Sequence, residues 1–413
     1  MESNRRDFLK AFSALAAAGM ITGLPWMEPL RAEDKQKPVK LGLIGVGDRG
    51  LLLLKHLQLT EGAVISCFCD DYPPNFERAQ ALLGKEAKGY VNHTDLLEKE
   101  DVDAVLIATP LHQHRHITVD ALDAGKHVFC EKAMGMDYEE CNEMALAWQR
   151  NGKILQIGHQ RVYCARFLQA MKEIEEGKLG DITQIRACWH RHGDWRRAVP
   201  SPELEHKINW RHYLAYSRGL MTELASHHLQ ISNWILGDRP DYVMGSGSIN
   251  YWKDGREVYD NVNLVYHYPG GIHMNYDSLI SNKKYGCEIQ AMGPGGTIEM
   301  EMGYRYSEQP PPAPGIIQLI NDIEHKIFDT IPIGGASWVP EDPSEDKGTY
   351  ILKRLQKTDG TDVQMASFVA DVRQNRVDPW ITKQGFDASI ATCMGHEAMM
   401  NHRIENWPEG LAL

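Results

Sequence analysis

The sequence predicts an α/β chain in two parts. A doubly wound parallel sheet comes first, and an α+β domain built on further strands follows. Three observations predict it. Residues 39–46, 63–69, 103–110 and 127–130 are short apolar runs, as parallel strands buried on both faces require. Residues 51–59, 76–83 and 117–124 between them carry helical patterns. Strands alternating with helices imply right-handed crossovers into one parallel sheet. After about residue 160 the pattern changes to strand-like segments at 182–189, 241–249, 261–267, 272–276 and 288–292.

The first strand (VKLGLIGV, 39–46) runs without a gap into Gly45-x-Gly47-x-x-Gly50, and residues 51–59 continue as an apolar helix. In such a turn one glycine makes the bend, one lets the backbone approach a pyrophosphate, and one lets the helix lie close to the strand. The helix start offers free N–H groups to phosphates, and Asp48 and Arg49 lie inside the turn. The second strand ends in Asp70, where a ribose-binding carboxylate belongs, roughly twenty residues on. These features place a Rossmann nucleotide domain at 38–160. An acid at Asp70 favours NAD, because it would repel the 2′-phosphate of NADP; Arg49 and Arg78 keep NADP open. The third strand closes in a Thr109-Pro110 turn, and Gly125 stops the helix at 117–124. Ligands of such sheets bind beyond the carboxyl ends of the strands. Three motifs sit there: the glycine turn, Thr109-Pro110 with His114, and Glu131-Lys132.

Length and composition narrow the class. A chain of 413 residues is long enough for two domains, and its 43% apolar content is ordinary for a globular protein. A net charge of −12 argues against nucleic-acid or anionic-membrane partners. The eight cysteines show no zinc spacing, and Cys67, Cys69 and Cys130 fall on buried strands, where they read as small hydrophobes. At the N-terminus, Arg5-Arg6-x-Phe8-Leu9-Lys10 and the uncharged run 11–24 resemble a twin-arginine translocation signal. The run is too short to span a bilayer. Residues 1–32 are therefore read as a leader, with export to the periplasm as a folded protein expected. Ala32 is a candidate last leader residue. Leu30 sits where a small residue is preferred, so cleavage and retention both stay open.

Thr109-Pro110 with His114, followed by AGKHVFCEK at 124–132, resembles the Gfo/Idh/MocA family, named for glucose–fructose oxidoreductase and inositol dehydrogenase. The likeness runs from Lys40 to about Gly296 and more loosely to the C-terminus. Two positions depart from the usual pattern: Ala133 stands where the family has proline, and Leu111 where it has asparagine. The resemblance implies a substrate and oligomerisation domain at 161–413, whose open, mainly antiparallel sheet covers the nicotinamide and whose outer face makes a homodimer or homotetramer. Residues 293–299 resemble the family's late turn. Residues 310–314 and 339–347 read as surface loops, and 368–401 as helix packing back on the nucleotide domain.

The resemblance also assigns roles. Lys132 is expected at the substrate oxygen, and residues 222–227 (TELASH) resemble the family's acid-spacer-glycine-x-histidine signature, with Glu223 for aspartate and Ala225 for glycine. His227 is the candidate acid/base, suited by a pKa near neutrality. Glu223, one turn earlier, shares its face, and His228 points elsewhere. The catalytic candidates are Lys132, His227 and Glu223. The cofactor candidates are Gly45, Gly47, Asp48, Arg49, Gly50, Asp70, Thr109, Pro110, His114, Glu131 and Lys132. Residues 189–197 (WHRHGDWRR) and Arg211 add aromatic and guanidinium groups suited to sugars. Alternation puts Trp189 and Arg191 on one face of the strand and His190 and His192 on the other. His159, Tyr163, His190, His192, Trp195 and Arg211 are the substrate candidates; no metal is expected.

Two activities fit. One is an NAD(P)-dependent oxidoreductase acting on a secondary hydroxyl of a carbohydrate or polyol. The other is a glycoside hydrolase that oxidises a ring hydroxyl, eliminates, hydrates and re-reduces, with no net redox; the family includes an α-N-acetylgalactosaminidase group of this kind. An exported enzyme has no soluble NAD pool, so a tightly held cofactor is expected in both.

Overall fold

The computed structural model describes residues 38–308, 348–352 and 358–413. The leader at 1–32 and the loops at 310–314 and 339–347 lie outside them.

The nucleotide domain is a six-stranded parallel sheet. Its strands are β1 (Val39–Ile44), β2 (Ala63–Cys69), β3 (Lys88–Tyr90), β4 (Ala104–Ile107), β5 (His127–Cys130) and β6 (Leu155–Ile157), in the order β3-β2-β1-β4-β5-β6. The order reverses between β1 and β4, which opens a crevice at their carboxyl ends. Register decides what meets there. Ile44 pairs with Ile107, and Ile107 with Cys130, so the glycine turn, Thr109 and Glu131 leave the sheet side by side. Main-chain bonds run past the strand ends: Ala108 N–H donates to Ile44 O at 2.8 Å, and Glu131 N–H to Ile107 O at 2.9 Å.

The second sheet has nine strands: β7 (Gln184–His190), β8 (Tyr242–Ser248), β9 (Asn261–Tyr268), β10 (Ile272–Leu279), β11 (Cys287–Gly293), β12 (Gly296–Glu299), β13 (Tyr304–Ser307), β14 (Thr349–Tyr350) and β15 (Glu405–Asn406). All neighbours are antiparallel except β7 and β10, which run parallel. Along β9 the residues Val262, Leu264, Tyr266 and Tyr268 are buried and their neighbours are not, so one face is core and the other is open. The helix Ser226–Leu236 and the helix Pro379–Asn401 pack against each other, and the second also contacts β8.

The terminal helical stretch is two helices, not one. Thr361–Gln374 ends at Asn375, whose φ of 49° is a left-handed closure. Pro379 starts the second helix, and the Asp378 carboxylate accepts from Trp380 N–H at 2.9 Å. Apolar patterning runs through this break, so periodicity alone missed it. Both helices reach the nucleotide domain: Phe368 meets Phe129 edge-on at 5.7 Å, and Met134 N–H donates to Ser389 Oγ at 2.9 Å. The eight cysteines are free thiols. Burial pushes Cys67 up to about 11 and Cys69 up to about 12, so both stay protonated as core hydrophobes. Among the described residues, no helix is long and apolar enough to cross a membrane.

Candidate active site

The glycine turn is closed to side chains at two of its three glycines. Gly45 has φ +85°, and a Cβ there would lie 2.7 Å from the Ala108 and Thr109 backbone. A Cβ on Gly50 would lie 2.1 Å from Gly45 O, so this glycine lets the helix Asp48–Gln58 sit against the strand. Gly47 differs: its φ is −65°, and a Cβ would meet nothing nearer than Asn75 Nδ2 at 3.7 Å. Its bare backbone faces a cleft of about 920 Å³, lined also by Asp48, Arg49, Asp70, Thr109 and Pro110. A cleft of this size with a helix N-terminus at its edge fits a dinucleotide.

Asp70 closes the end of β2. Its carboxylate accepts from Val46 N–H at 2.8 Å and from Tyr72 N–H at 2.9 Å. Burial raises its pKa, against those donors. The two arginines that left NADP open are both engaged. Arg49 Nε donates to Glu131 Oε1 at 2.6 Å, and Arg78 pairs with Asp48 at 3.0 Å. Asp48 therefore faces cations, and Arg78 above all holds its pKa low.

Deeper in, a pocket of about 240 Å³ brings together Lys132, His227, Glu223, Arg211, Glu131 and His114, with Trp210 and Gln160 at its walls. The Lys132–Ala133 peptide is cis. His114 braces this corner: its ring nitrogens lie 2.8 Å from Ala133 O and 3.1 Å from Thr109 O, and burial lowers its pKa. As a neutral ring it has one N–H to donate to one of these two carbonyls.

A short π-helical turn, Met221–Ala225, leads into the helix carrying His227. Such turns redirect carbonyls and side chains. Here Thr222 O and Glu223 O accept from Lys132 Nζ at 3.1 and 2.8 Å. Burial pulls the Lys132 pKa below the usual lysine value, although Glu223 and Glu131 oppose the shift. An unprotonated Lys132 would spend both N–H bonds on those carbonyls and keep its lone pair free. The Glu223 carboxylate accepts from Arg211 Nε at 2.8 Å. Burial works to raise its pKa, but Arg211 and Lys132 outweigh burial and hold it low. His227 is 7% exposed, and burial, reinforced by Lys132 and Arg161, keeps its ring neutral. A neutral imidazole thus shares the pocket with an amine whose pKa burial has lowered, and both are groups suited to proton transfer.

The substrate candidates separate. Arg211 lines the pocket and lies over Trp210, 4.2 Å from the ring centroid. His159 lies edge-on to His227 at 5.9 Å, buried, with burial pushing its pKa down to about 3. Four others are corrections. Tyr163 is buried, and its hydroxyl accepts from Gln156 Nε2 at 2.9 Å, in the core. His190 pairs with Asp277, and His192 Nδ1 meets Ser281 O at 2.7 Å, both away from the pocket. Trp195 lies under Arg191 at 4.8 Å and packs on the core. The face of β7 turned to the site carries Trp189, 5.8 Å from His227. Alternation along the strand offered two faces, and only packing chose between them.

Sequence reading missed Gln160 and Arg161. Arg161 lies 5.1 Å over the Trp189 ring, donates to Cys287 Sγ at 3.2 Å and pairs with Glu301. His228, Cys287 and Glu301 are the one trio among the described residues spaced to hold a metal. The Arg161 guanidinium is the cation already among them.

A family model described as an oxidoreductase family with an NAD-binding Rossmann fold matches residues 39–159, and a model of the Gfo/Idh/MocA C-terminal domain matches 167–299. A protein of Streptococcus pneumoniae named "Uncharacterized oxidoreductase" is 27% identical over 270 residues, 65% of this chain and 64% of that protein. A "Glycosyl hydrolase family 109 protein" of Shewanella amazonensis is 32% identical over 272 residues, 59% of this chain and 58% of that protein. The match thus spans less than two thirds of either relative. Among solved structures, scyllo-inositol dehydrogenase from Lactobacillus casei covers 90% of this chain and 98% of its own at 19% identity and TM-score 0.66. The WlbA dehydrogenase from Bordetella pertussis, in complex with NADH and UDP-GlcNAcA, covers 91% and 99% at 16% identity and TM-score 0.70. At such identities these structures establish the shared fold.

Proposed function

Because the chain belongs to the Gfo/Idh/MocA oxidoreductase family, we propose that it is an NAD-dependent oxidoreductase acting on a secondary hydroxyl of a carbohydrate or polyol, with the cofactor held tightly. The observation that carries this reading is the shared pocket of Lys132, His227 and Glu223 next to the glycine cleft. NAD would be held by the backbone at Gly45 and Gly47 and by the Asp70 carboxylate. Asp70 and the engagement of Arg49 and Arg78 favour it over NADP. Bound there, NAD supplies hydride acceptance. The chain does the proton work. Lys132 Nζ, fixed by two carbonyls, holds the substrate oxygen, and the neutral His227 ring accepts the hydroxyl proton. Arg211 and Glu223 orient the sugar's other hydroxyls.

The Shewanella relatives favour a second reading, hydrolysis without net redox. The same groups serve it. Once a ring hydroxyl has become a ketone, one base removes the neighbouring C–H proton, and the protonated partner gives a proton to the leaving glycosidic oxygen. Water then adds, and the ketone would return to the alcohol by taking back the hydride removed in the first oxidation together with a proton.

Export through the twin-arginine machinery to the periplasm belongs to this proposal and rests on Arg5-Arg6 and the apolar run 11–24. So does assembly as a homodimer or homotetramer through the open sheet face, where Arg186, Met244, Asn263 and Asp277 border a shallow groove. Incubation of holoprotein with aryl glycosides in D₂O, without added NAD, separates the two activities. Aglycone release with deuterium beside the oxidised carbon means hydrolysis. Reduction of added NAD by a free sugar means dehydrogenation. A protein with neither activity, purified without nucleotide, would sink both readings.

A further inference from the structure

The cofactor cleft has two walls, and the second comes from the substrate domain. Residues 194–216 leave β7 and cross to the nucleotide domain. Their root is built from ionic and amide bonds, buried at Arg256 and Asn209 and part-exposed at Arg196. Asp194 pairs with Arg256, and Arg196 donates to Asp254 at 2.8 Å and to Glu205 at 2.7 Å. Asn209 is 2% exposed; it accepts from Arg197 N–H at 2.8 Å and donates to Arg197 O at 2.9 Å. A segment tied this way holds one shape.

Its outer part reaches the nucleotide domain at two points. Arg197 donates to Asp48 Oδ2 at 2.7 Å, on the first residue of the phosphate-facing helix. Lys207 pairs with Asp71 Oδ2 at 2.7 Å, directly after Asp70. Between these points, Lys207, His206 and Tyr216 line the same cleft as Gly47 and Asp70. His206 lies 5.8 Å from Tyr216, and Tyr216 lies 4.8 Å from His112 of the opposite wall, so aromatic rings bridge the cleft's side. A dinucleotide seated on the glycine turn would therefore lie against this segment.

We infer that residues 194–216 form a clasp over the adenosine and phosphate part of the NAD site, and that the Arg197–Asp48 and Lys207–Asp71 bridges set how slowly the cofactor leaves. The inference rests on the reading that the chain binds NAD. It gives tight retention a local cause. Arg197 also offsets Asp48, whose carboxylate would otherwise repel a pyrophosphate at the helix start. Both bridges are solvent-exposed: the side chains of Arg197 and Asp48 are 56% and 57% accessible, and those of Lys207 and Asp71 are 36% and 57%. Each is individually weak and salt-sensitive. The clasp is thus held shut by few bonds on a firm root.

The test uses full-length holoprotein loaded with NADH and mixed with excess NAD, with loss of bound NADH fluorescence giving the release rate. Wild-type release is expected to be slow at low salt and to quicken as NaCl screens the bridges. Arg197→Ala should quicken release about two- to fivefold at low salt. Lys207→Asp, which adds repulsion, should do so by more and flatten the salt dependence. Adding Asp71→Lys to Lys207→Asp restores the bridge with reversed polarity and should return slow release. Arg150→Ala breaks an equally exposed pair with Asp123 elsewhere on the nucleotide domain and should change nothing. Retained NADH that leaves all these variants at the wild-type rate, or a reversed pair that fails to restore it, overturns the clasp and leaves the NAD reading standing. Wild-type protein that loses bound NADH within the mixing time overturns the clasp alone, and wild-type protein that takes up no NADH overturns both.

Discussion

Two alanine substitutions three residues apart should fail in opposite ways. At Gly47 the backbone is ordinary for an L-residue, φ −65°, and the added methyl would meet only Asn75 Nδ2 at 3.7 Å. Gly47→Ala should therefore leave the apoprotein within about 0.5 kcal/mol of wild type, or stabilise it by up to about 1 kcal/mol through a less flexible unfolded chain. The same methyl projects into the cleft where a pyrophosphate would approach, so NAD affinity should fall at least tenfold, about 1.4 kcal/mol. At Gly50 the methyl would lie 2.1 Å from Gly45 O, a backbone atom with no side chain to swing aside. The helix must back away from the strand, at an overpacking cost of about 1–3 kcal/mol or more. Thermal melting of apoprotein and nucleotide content of purified protein check both. Gly47→Ala should melt like wild type with little NAD, and Gly50→Ala should melt lower even without NAD. Full NAD occupancy in Gly47→Ala, or an unchanged melting point in Gly50→Ala, would refute this account of the turn.

Lys132→Ala and His227→Ala should each lower kcat by about 10²- to 10⁴-fold while purified protein keeps its NAD; loss of NAD in both would move these residues from catalysis to structure. Arg211→Ala leaves the Glu223 carboxylate with Lys132 alone, so the acidic limb of the kcat/KM profile should move to higher pH, with Arg211→Lys partly restoring it; an unmoved limb removes Glu223 from the pH dependence. Acid stability should be set by histidines. Burial holds His127, His212 and His396 down to about 4 and His159 to about 3, from 6.5. They stay neutral in the fold and charge in the unfolded chain, so their support is complete above pH 6.5 and drains as pH falls. Glu288 runs the other way: burial pushes it up from 4.5 to about 7, against three N–H donors, so its support drains as pH rises through 7. Between pH 6.5 and 5, these four histidines and His112, which burial also holds down to about 4, each lose on the order of 1 kcal/mol per pH unit, against similar gains from Glu288 and from Asp371, which burial pushes up from 3.8 to about 6. Tm should therefore fall on acidification, and a rise would contradict this balance. Glu288→Gln should narrow its stability deficit relative to wild type as pH rises from 5 to 8.

By itself the sequence determined the nucleotide domain. Buried parallel strands are apolar throughout, a phosphate turn needs glycines at fixed spacing, and both requirements are local. Short motifs also singled out Lys132 and His227 as candidates, and the fold places both in one pocket. The tertiary structure decided everything that depends on which face of an element is covered. Residues 189–197 offered two faces of one strand. Packing against His227 and Arg161 turned Trp189 inward and sent His190 to Asp277 on the far side. Tyr163, adjacent to the site in sequence, points into the core because Gln156 on β6 takes its hydroxyl. The break at Asn375 escaped a pattern that both flanking helices share. The Arg197–Asp48 and Lys207–Asp71 bridges join residues 149 and 136 positions apart. No local pattern signals such pairs, since their partners meet only after both sheets have closed.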